Sequence, residues 1–187
     1  MTGNKVIFGL SGLIASGKGT AAKYLEKKYQ AGVYSFSMLL IDLANRLYLP
    51  NTRDNLVKLS ECLRTTFGED VLAKSIMQDV SRDSHSLIVV EAIRRLADIE
   101  YLKKLPGFVL IEIFADPKIR YERLIRRGEK PDDTTKTYEQ FVADHQRSTE
   151  LSIPDVTAQA AERLDNNGDL INLYQQIDAL VNKYKEF

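Results

Sequence analysis

Cysteine is all but missing from this 187-residue sequence. Cys62 stands alone, so no internal disulfide can form and a reducing compartment is expected. Cys62 itself reads as a small apolar residue on a helix. An excess of charge is missing too. Lys plus Arg number 26 and Asp plus Glu number 26, so the whole chain carries no basic footprint for nucleic acid and any phosphate-binding charge must be local. No apolar run approaches the ~18 residues that span a membrane. The first such run is short and leads into Gly12 and Lys18, unlike a signal peptide. A cytoplasmic protein without membrane or nucleic-acid partners is therefore expected. His85 and His145 stand apart in polar surroundings, and no cluster of metal-ligand residues is present. No repeat, low-complexity tract or linker divides the chain, so residues 1–187 read as one domain.

What is present is an alternation of strand-like and helix-like segments. Residues 5–10 (KVIFGL), 33–36 (VYSF), 87–90 (LIVV), 108–115 (FVLIEIFA) and 163–165 are short apolar runs bounded by turn residues, as buried parallel strands require. Between them the spacing predicts helices over 18–29, 38–48 with Ser37 as cap, and a helix capped by Thr52 and stopped by Gly68. In that last helix Leu56, Leu59 and Leu63 form an apolar stripe. Further helices are expected over 70–80, 95–104, from Pro117 to about Arg127, and over 138–149, 155–162 and 169–184. The polar stretch from 128 to about 137 (GEKPDDTTKT) reads as a loop. Strands alternating with helices imply an α/β fold in three layers, with a five-stranded parallel sheet.

The chemistry sits first in residues 12–20, GLIASGKGT, which carry the pattern G-x-x-x-x-G-K between the first strand and the first helix. The first-turn amides of a helix lack partners inside it, and the helix dipole adds positive potential, so such a turn binds anions. Gly12 and Gly17 let the backbone wrap phosphates closely. Lys18 supplies a point charge for the outer phosphates. Ala15, Ser16 and Gly19 complete the cradle. Thr20 is the first hydroxyl available to a metal ion or phosphate oxygen, one residue later than the commonest form of the motif. The 87–90 strand ends in Glu91, a carboxylate placed near the loop where it can orient a metal-bound water. Arg123 and Arg127 lie four apart and share one helix face. Arg120 and Arg126 fall on other faces, where solvation is expected.

The GKGT form of the loop resembles the adenylate kinases, and the rest of the chain resembles the wider clan of P-loop nucleoside-monophosphate kinases, including dephospho-CoA kinases. In IVVEAIRR, Glu91 and Arg94 stand in places similar to an acidic turn and acceptor-phosphate arginine of adenylate kinases, with Ala92 where those have glycine. ADPKIRYERLIRRGEKPDD resembles the lid entry of these kinases, which implies that Arg123 and Arg127 grip the donor and the transferred phosphoryl group beneath a short lid. LDNNGDLINLYQQIDALV is similar to the C-terminal end of dephospho-CoA kinases and implies that Asn166 or Asn167 lies beside the nucleotide base. TRDNLVKLSECLRTTFGEDVLAK resembles the acceptor region of phage-type deoxynucleoside monophosphate kinases, which implies acceptor-phosphate roles for Arg53 and Arg64. Asp42 lies near where dephospho-CoA kinases carry a base toward a ribose hydroxyl, although SFSMLLIDL does not reproduce their Asp-x-Asp.

The resemblance thus implies a three-layer P-loop kinase with a five-stranded parallel sheet. It would transfer the γ-phosphoryl group of ATP, with Mg²⁺ brought by the nucleotide, to a small-molecule nucleotide acceptor. A (deoxy)nucleoside monophosphate comes first, dephospho-CoA second. A nucleotide-binding regulatory ATPase is the alternative from another class, and a kinase of a small metabolite such as shikimate or gluconate is a further one. The sequence leaves oligomeric state open.

Overall fold

The computed structural model describes residues 5–127, 133–143 and 148–185. Five parallel strands form one sheet: β1 (Val6–Ser11), β2 (Gly32–Ser35), β3 (Leu87–Glu91), β4 (Phe108–Phe114) and β5 (Glu162–Asp165), in the order β2-β3-β1-β4-β5. Register pairs Val6 with Leu87, Ser35 with Glu91, Ser11 with Glu112 and Phe114 with Asp165. The carboxyl ends of β1, β2 and β3 therefore open on one edge. β1 is the switch point: β3 lies on one side of it and β4 on the other, the arrangement that leaves a crevice for ligands above the strand ends.

Alternation of side chains explains why the strands read as continuous apolar runs. Val6, Phe8 and Leu10 face a core completed by Ala21, Ala22 and Leu25 of α1 (Lys18–Tyr29) and by Leu173, Ile177 and Val181 of α10 (Leu170–Lys185). Ile7, between them, faces the opposite core. That layer is built by α2 (Phe36–Arg46), α4 (Val71–Arg82) and α5 (Leu96–Leu102) through Phe36, Leu40, Leu72, Ile76, Val80, Ile99 and Leu102. The three-layer α/β architecture is as the strand–helix alternation predicts.

The helix between these, α3 (Arg53–Phe67), is capped by Thr52 and closed by Gly68, whose φ of 104° lets its amide bond the Arg64 carbonyl at 2.9 Å. Its Leu56, Leu59 and Leu63 stripe is partly buried against the second core, while Cys62 is exposed. α2 begins earlier than its expected bounds, because Ser35 rather than Ser37 is the cap: the Ser35 hydroxyl accepts from the Ser37 amide at 3.2 Å. α6 runs over Pro117–Arg127, a 3-10 turn covers Asp133–Thr135, and α7 covers Tyr138–Ala143. The expected helix over 138–149 divides into α7 and α8 (Ser148–Leu151), with 144–147, and so His145, outside the described residues. α9 (Ile153–Thr157) starts ahead of its expected position because Pro154 fits a first turn, where an amide hydrogen is not needed. Of the expected lid, residues 128–132 also lie outside the described residues. Among the described residues no helix is long and apolar enough to cross a membrane.

Candidate active site

At the end of β1 the chain turns into the loop and then into α1. Gly12 has φ 145° and Gly17 φ 107°, left-handed geometry that favours glycine. A Cβ on Gly12 would collide with the Ile113 carbonyl oxygen, and one on Gly17 with the Asn166 amide nitrogen. Ala15 also has positive φ, 59°, and the Ser16 amide closes the turn on the Leu13 carbonyl at 3.2 Å. Ser16 is buried and its hydroxyl has no hydrogen-bond partner, an orphaned polar group inside the cradle. Gly19 is exposed, and Thr20 is half-buried on the first turn of α1.

Lys18 folds back over this loop. Its Nζ donates to the Gly12 carbonyl at 2.6 Å and to the Leu13 carbonyl at 3.0 Å. Burial pushes the ammonium pKa down to about 7, and the positive charges of Arg94 and Arg120 add to that, against the opposing pull of Glu150 and Glu91. Glu91, half-buried at the end of β3, is raised above the usual carboxylate range by its own burial, with Lys18 and Lys23 opposing. The next residue, Ala92, takes φ 62°, so the position where the resemblance has glycine does need left-handed backbone. Ile93 then anchors the turn by accepting from the Ser11 hydroxyl at 2.9 Å.

On the β4–β5 side, two asparagines divide the work. Asn166 is buried; its Nδ2 donates to the Ser16 carbonyl at 2.7 Å. Asn167 instead accepts from the Asp116 amide at 2.7 Å, holding the approach to α6. Arg123 reaches the same turn, donating to Asn166 Oδ1 at 3.5 Å and to the Gly168 carbonyl at 3.3 Å, with its Nη1 buried and unpartnered. Arg127 is exposed at the end of α6. Arg120, expected in solvent, is buried. Its Nε donates to the Ala115 carbonyl at 2.9 Å, Nη1 donates to the Ile14 carbonyl of the loop at 3.3 Å, and the guanidinium lies over the Phe141 ring at 5.3 Å. The signal was available: Arg120 and Leu124, four apart, form the buried face of α6. Arg126 is exposed and pairs weakly with Glu122 at 3.8 Å, as a solvated face should.

On the β2–β3 side a cavity of about 390 Å³ opens beside the loop, bounded by Ile14, Phe36, Leu40, Leu56, Arg64, Arg94 and Glu150 among others. Arg94 pairs with Glu150 of α8. Arg64 is buried and paired with Asp98 at 2.7 Å, and also donates to the Glu69 carbonyl. Asp98 in turn accepts from the Arg95 amide at 3.2 Å and so caps α5. Asp42 is exposed on α2 and does not belong to the cavity lining. Arg53 opens α3, but its side chain lies outside the described residues. Sequence reasoning missed Asp98 and Glu150, and the short α8 in a polar stretch carries no periodicity that would have marked Glu150.

This strand, glycine loop and helix at the centre of a five-stranded parallel sheet define a P-loop nucleotide kinase-like fold. Residues 9–148 match the AAA domain family, and the chain belongs to it. A UPF0200 protein of Hyperthermus butylicus is 28% identical over 178 residues, covering 86% of this chain and 94% of that protein. Among solved structures, TT1252 from Thermus thermophilus superposes with a TM-score of 0.64 at 19% identity, covering 96% of this chain and 98% of that one. Shikimate kinase from Acinetobacter baumannii, in complex with shikimate, gives a TM-score of 0.59 at 14% identity, over 97% of this chain and 95% of that one. At these identities the two structures speak for the fold.

Proposed function

We propose that this chain is an ATP-dependent kinase that transfers the γ-phosphoryl group to a nucleotide or nucleotide-like acceptor seated in the cavity beside the loop. One observation carries the reading: the phosphate cradle and the acceptor-sized cavity meet at Ile14, with Arg94 lining the cavity while acting on Lys18 through space. The loop amides, Lys18 and the orphaned Ser16 hydroxyl fit the phosphates of a nucleotide. Thr20 and, through water, Glu91 are the residues that would hold Mg²⁺, which supplies charge neutralisation across the outer phosphates. Arg123 and Arg120 bring positive charge over the loop, and Arg127 stands at the entry to the lid. Since phosphoryl transfer receives little covalent help from protein, this positioning and charge stabilisation is what the residues contribute.

The floor of the cavity is apolar, through Phe36, Leu40, Leu56 and Leu72. That favours an acceptor with a flat or apolar body such as a nucleobase over a small polar acid. A regulatory ATPase would need no such cavity. The test is ADP release from ATP and Mg²⁺ with and without a panel of nucleotide-like acceptors. Acceptor-dependent release that falls about 10²-fold or more in Lys18→Ala supports the reading. Equal release with and without acceptors would sink it in favour of the ATPase.

A further inference from the structure

Three arginines and three carboxylates line the cavity: Arg64, Arg94 and Arg95 against Glu61, Asp98 and Glu150. Each arginine already has a carboxylate partner. Arg94 is held by Glu150, Arg64 by Asp98 at 2.7 Å and Arg95 by Glu69 at 2.9 Å. Among the described residues the lining therefore offers no surplus of positive charge. An incoming phosphate dianion would be stripped of water without a matching cation, whereas a neutral group needs none.

Two side chains of this lining each carry a buried, unmatched polar atom, Arg64 Nε and Glu150 Oε2. The first is a donor and the second an acceptor. A hydroxyl both donates and accepts, whereas an ionised phosphate only accepts and cannot match a carboxylate oxygen. Glu150 is 3% exposed, and its charge also acts on Lys18 and Arg120. It thus stands where the acceptor cavity adjoins the phosphate loop.

Resting on the kinase reading above, we propose that the acceptor atom is a hydroxyl oxygen of a nucleotide-like molecule, and that Glu150 holds and deprotonates it. The acceptor O–H bond breaks and its proton passes to the Glu150 carboxylate. The oxygen's electron pair forms the new bond to the γ-phosphorus. The bond from that phosphorus to the β–γ bridging oxygen breaks, and its electron pair leaves with ADP. Glu150 then releases the proton to water, so the products are a phosphomonoester, ADP and one proton. Arg94 orients the carboxylate throughout. Asp42, the residue the sequence singles out as a possible base, is exposed and outside the lining, so Glu150 takes that role. An acceptor phosphate, already ionised, would have no use for it.

The test uses the full-length protein with ATP and Mg²⁺. One set of arms contains the four deoxynucleoside monophosphates, and the other contains dephospho-CoA and free nucleosides. Phosphorus NMR reads whether the new linkage is P–O–C or P–O–P. The expected result is phosphomonoester product from a hydroxyl arm and no diphosphate from the monophosphate arms. Glu150→Gln should lower kcat by about 10²–10⁴-fold with the KM for ATP little changed, and Glu150→Asp should restore part of it. Diphosphate product, with Glu150→Gln at wild-type kcat, overturns the hydroxyl assignment and leaves the kinase reading standing. No acceptor-dependent ADP release in any arm removes both. If Glu150→Gln fails to fold, as a melting curve would reveal, the linkage formed by the wild-type protein decides alone.

Discussion

Asn166 and Ser16, separated by 150 positions in sequence, are joined by a hydrogen bond of 2.7 Å from the asparagine amide to the serine carbonyl. The bond ties the turn after β5 to the middle of the phosphate loop, and the same amide nitrogen fills the space that Gly17 leaves. Asn166→Ala removes it and leaves a buried carbonyl unmatched, a loss of about 1–3 kcal/mol. Because the loop loses its preset shape, part of this should appear as weaker nucleotide binding, about tenfold, measured by calorimetric titration with ATP.

Gly17→Ala should be worse. The residue needs φ 107°, and its Cβ would strike Asn166. Backbone strain of about 1–3 kcal/mol combines with the collision. Nucleotide binding should be lost while the far-UV circular dichroism of the sheet and helices stays native. Gly19→Ala is the control, since a Cβ there meets nothing within 4 Å.

On the proposed role of Lys18, nucleotide binding should depend on pH. The lysine ammonium loses the proton near pH 7 in the free protein, while bound phosphates favour the charged form and raise that value. Below pH 7 the lysine is already charged and ATP affinity should be flat. Above it, binding takes up a proton and affinity should fall by up to about tenfold per pH unit. Titrations in buffers of different ionisation heat would detect the uptake, and Lys18→Met should abolish it. The sign for folding is opposite. The unfolded lysine keeps its proton to about 10.5, so the folding penalty is full below pH 7 and is relieved as pH rises toward 10.5.

Asp98 is 2% exposed, paired with Arg64 and capping α5. Asp98→Ala strands a buried guanidinium and removes the cap, which should cost about 3–5 kcal/mol. The melting temperature should drop by about 10 °C. Replacing both residues, Arg64→Met with Asp98→Leu, should recover much of that loss, and a double-mutant cycle on melting temperatures measures how much.

The parts of this site that were legible in the sequence are those whose signal is local. The strand–glycine loop–helix unit is contiguous, and so is the cap-to-glycine span of α3. The unread parts depend on what distant segments bring together. Arg120 looked like a solvated charge because a guanidinium on a helix usually is one, yet Ile14 supplies a carbonyl and Phe141 a ring face for it. Asn166 and Asn167 are indistinguishable in sequence. Only the turn geometry points one at the loop and the other at Asp116. Glu150 is named by no motif, since its meaning comes from Arg94, 56 positions away.

The strand order has a consequence for how the proposed phosphate and acceptor sites divide the chain. The proposed phosphate site is built mainly from β1 with its loop and from the β4–β5 half of the sheet, with Glu91 added from β3, whereas the cavity is built almost wholly from residues 36–98, one uninterrupted length of chain between β2 and β4. Only Ile14 and Glu150 join it from outside that length. On the proposed reading, acceptor choice is modular: it rests on a single segment matched at one carboxylate, and that segment reaches the phosphate side through Glu91 and Arg94.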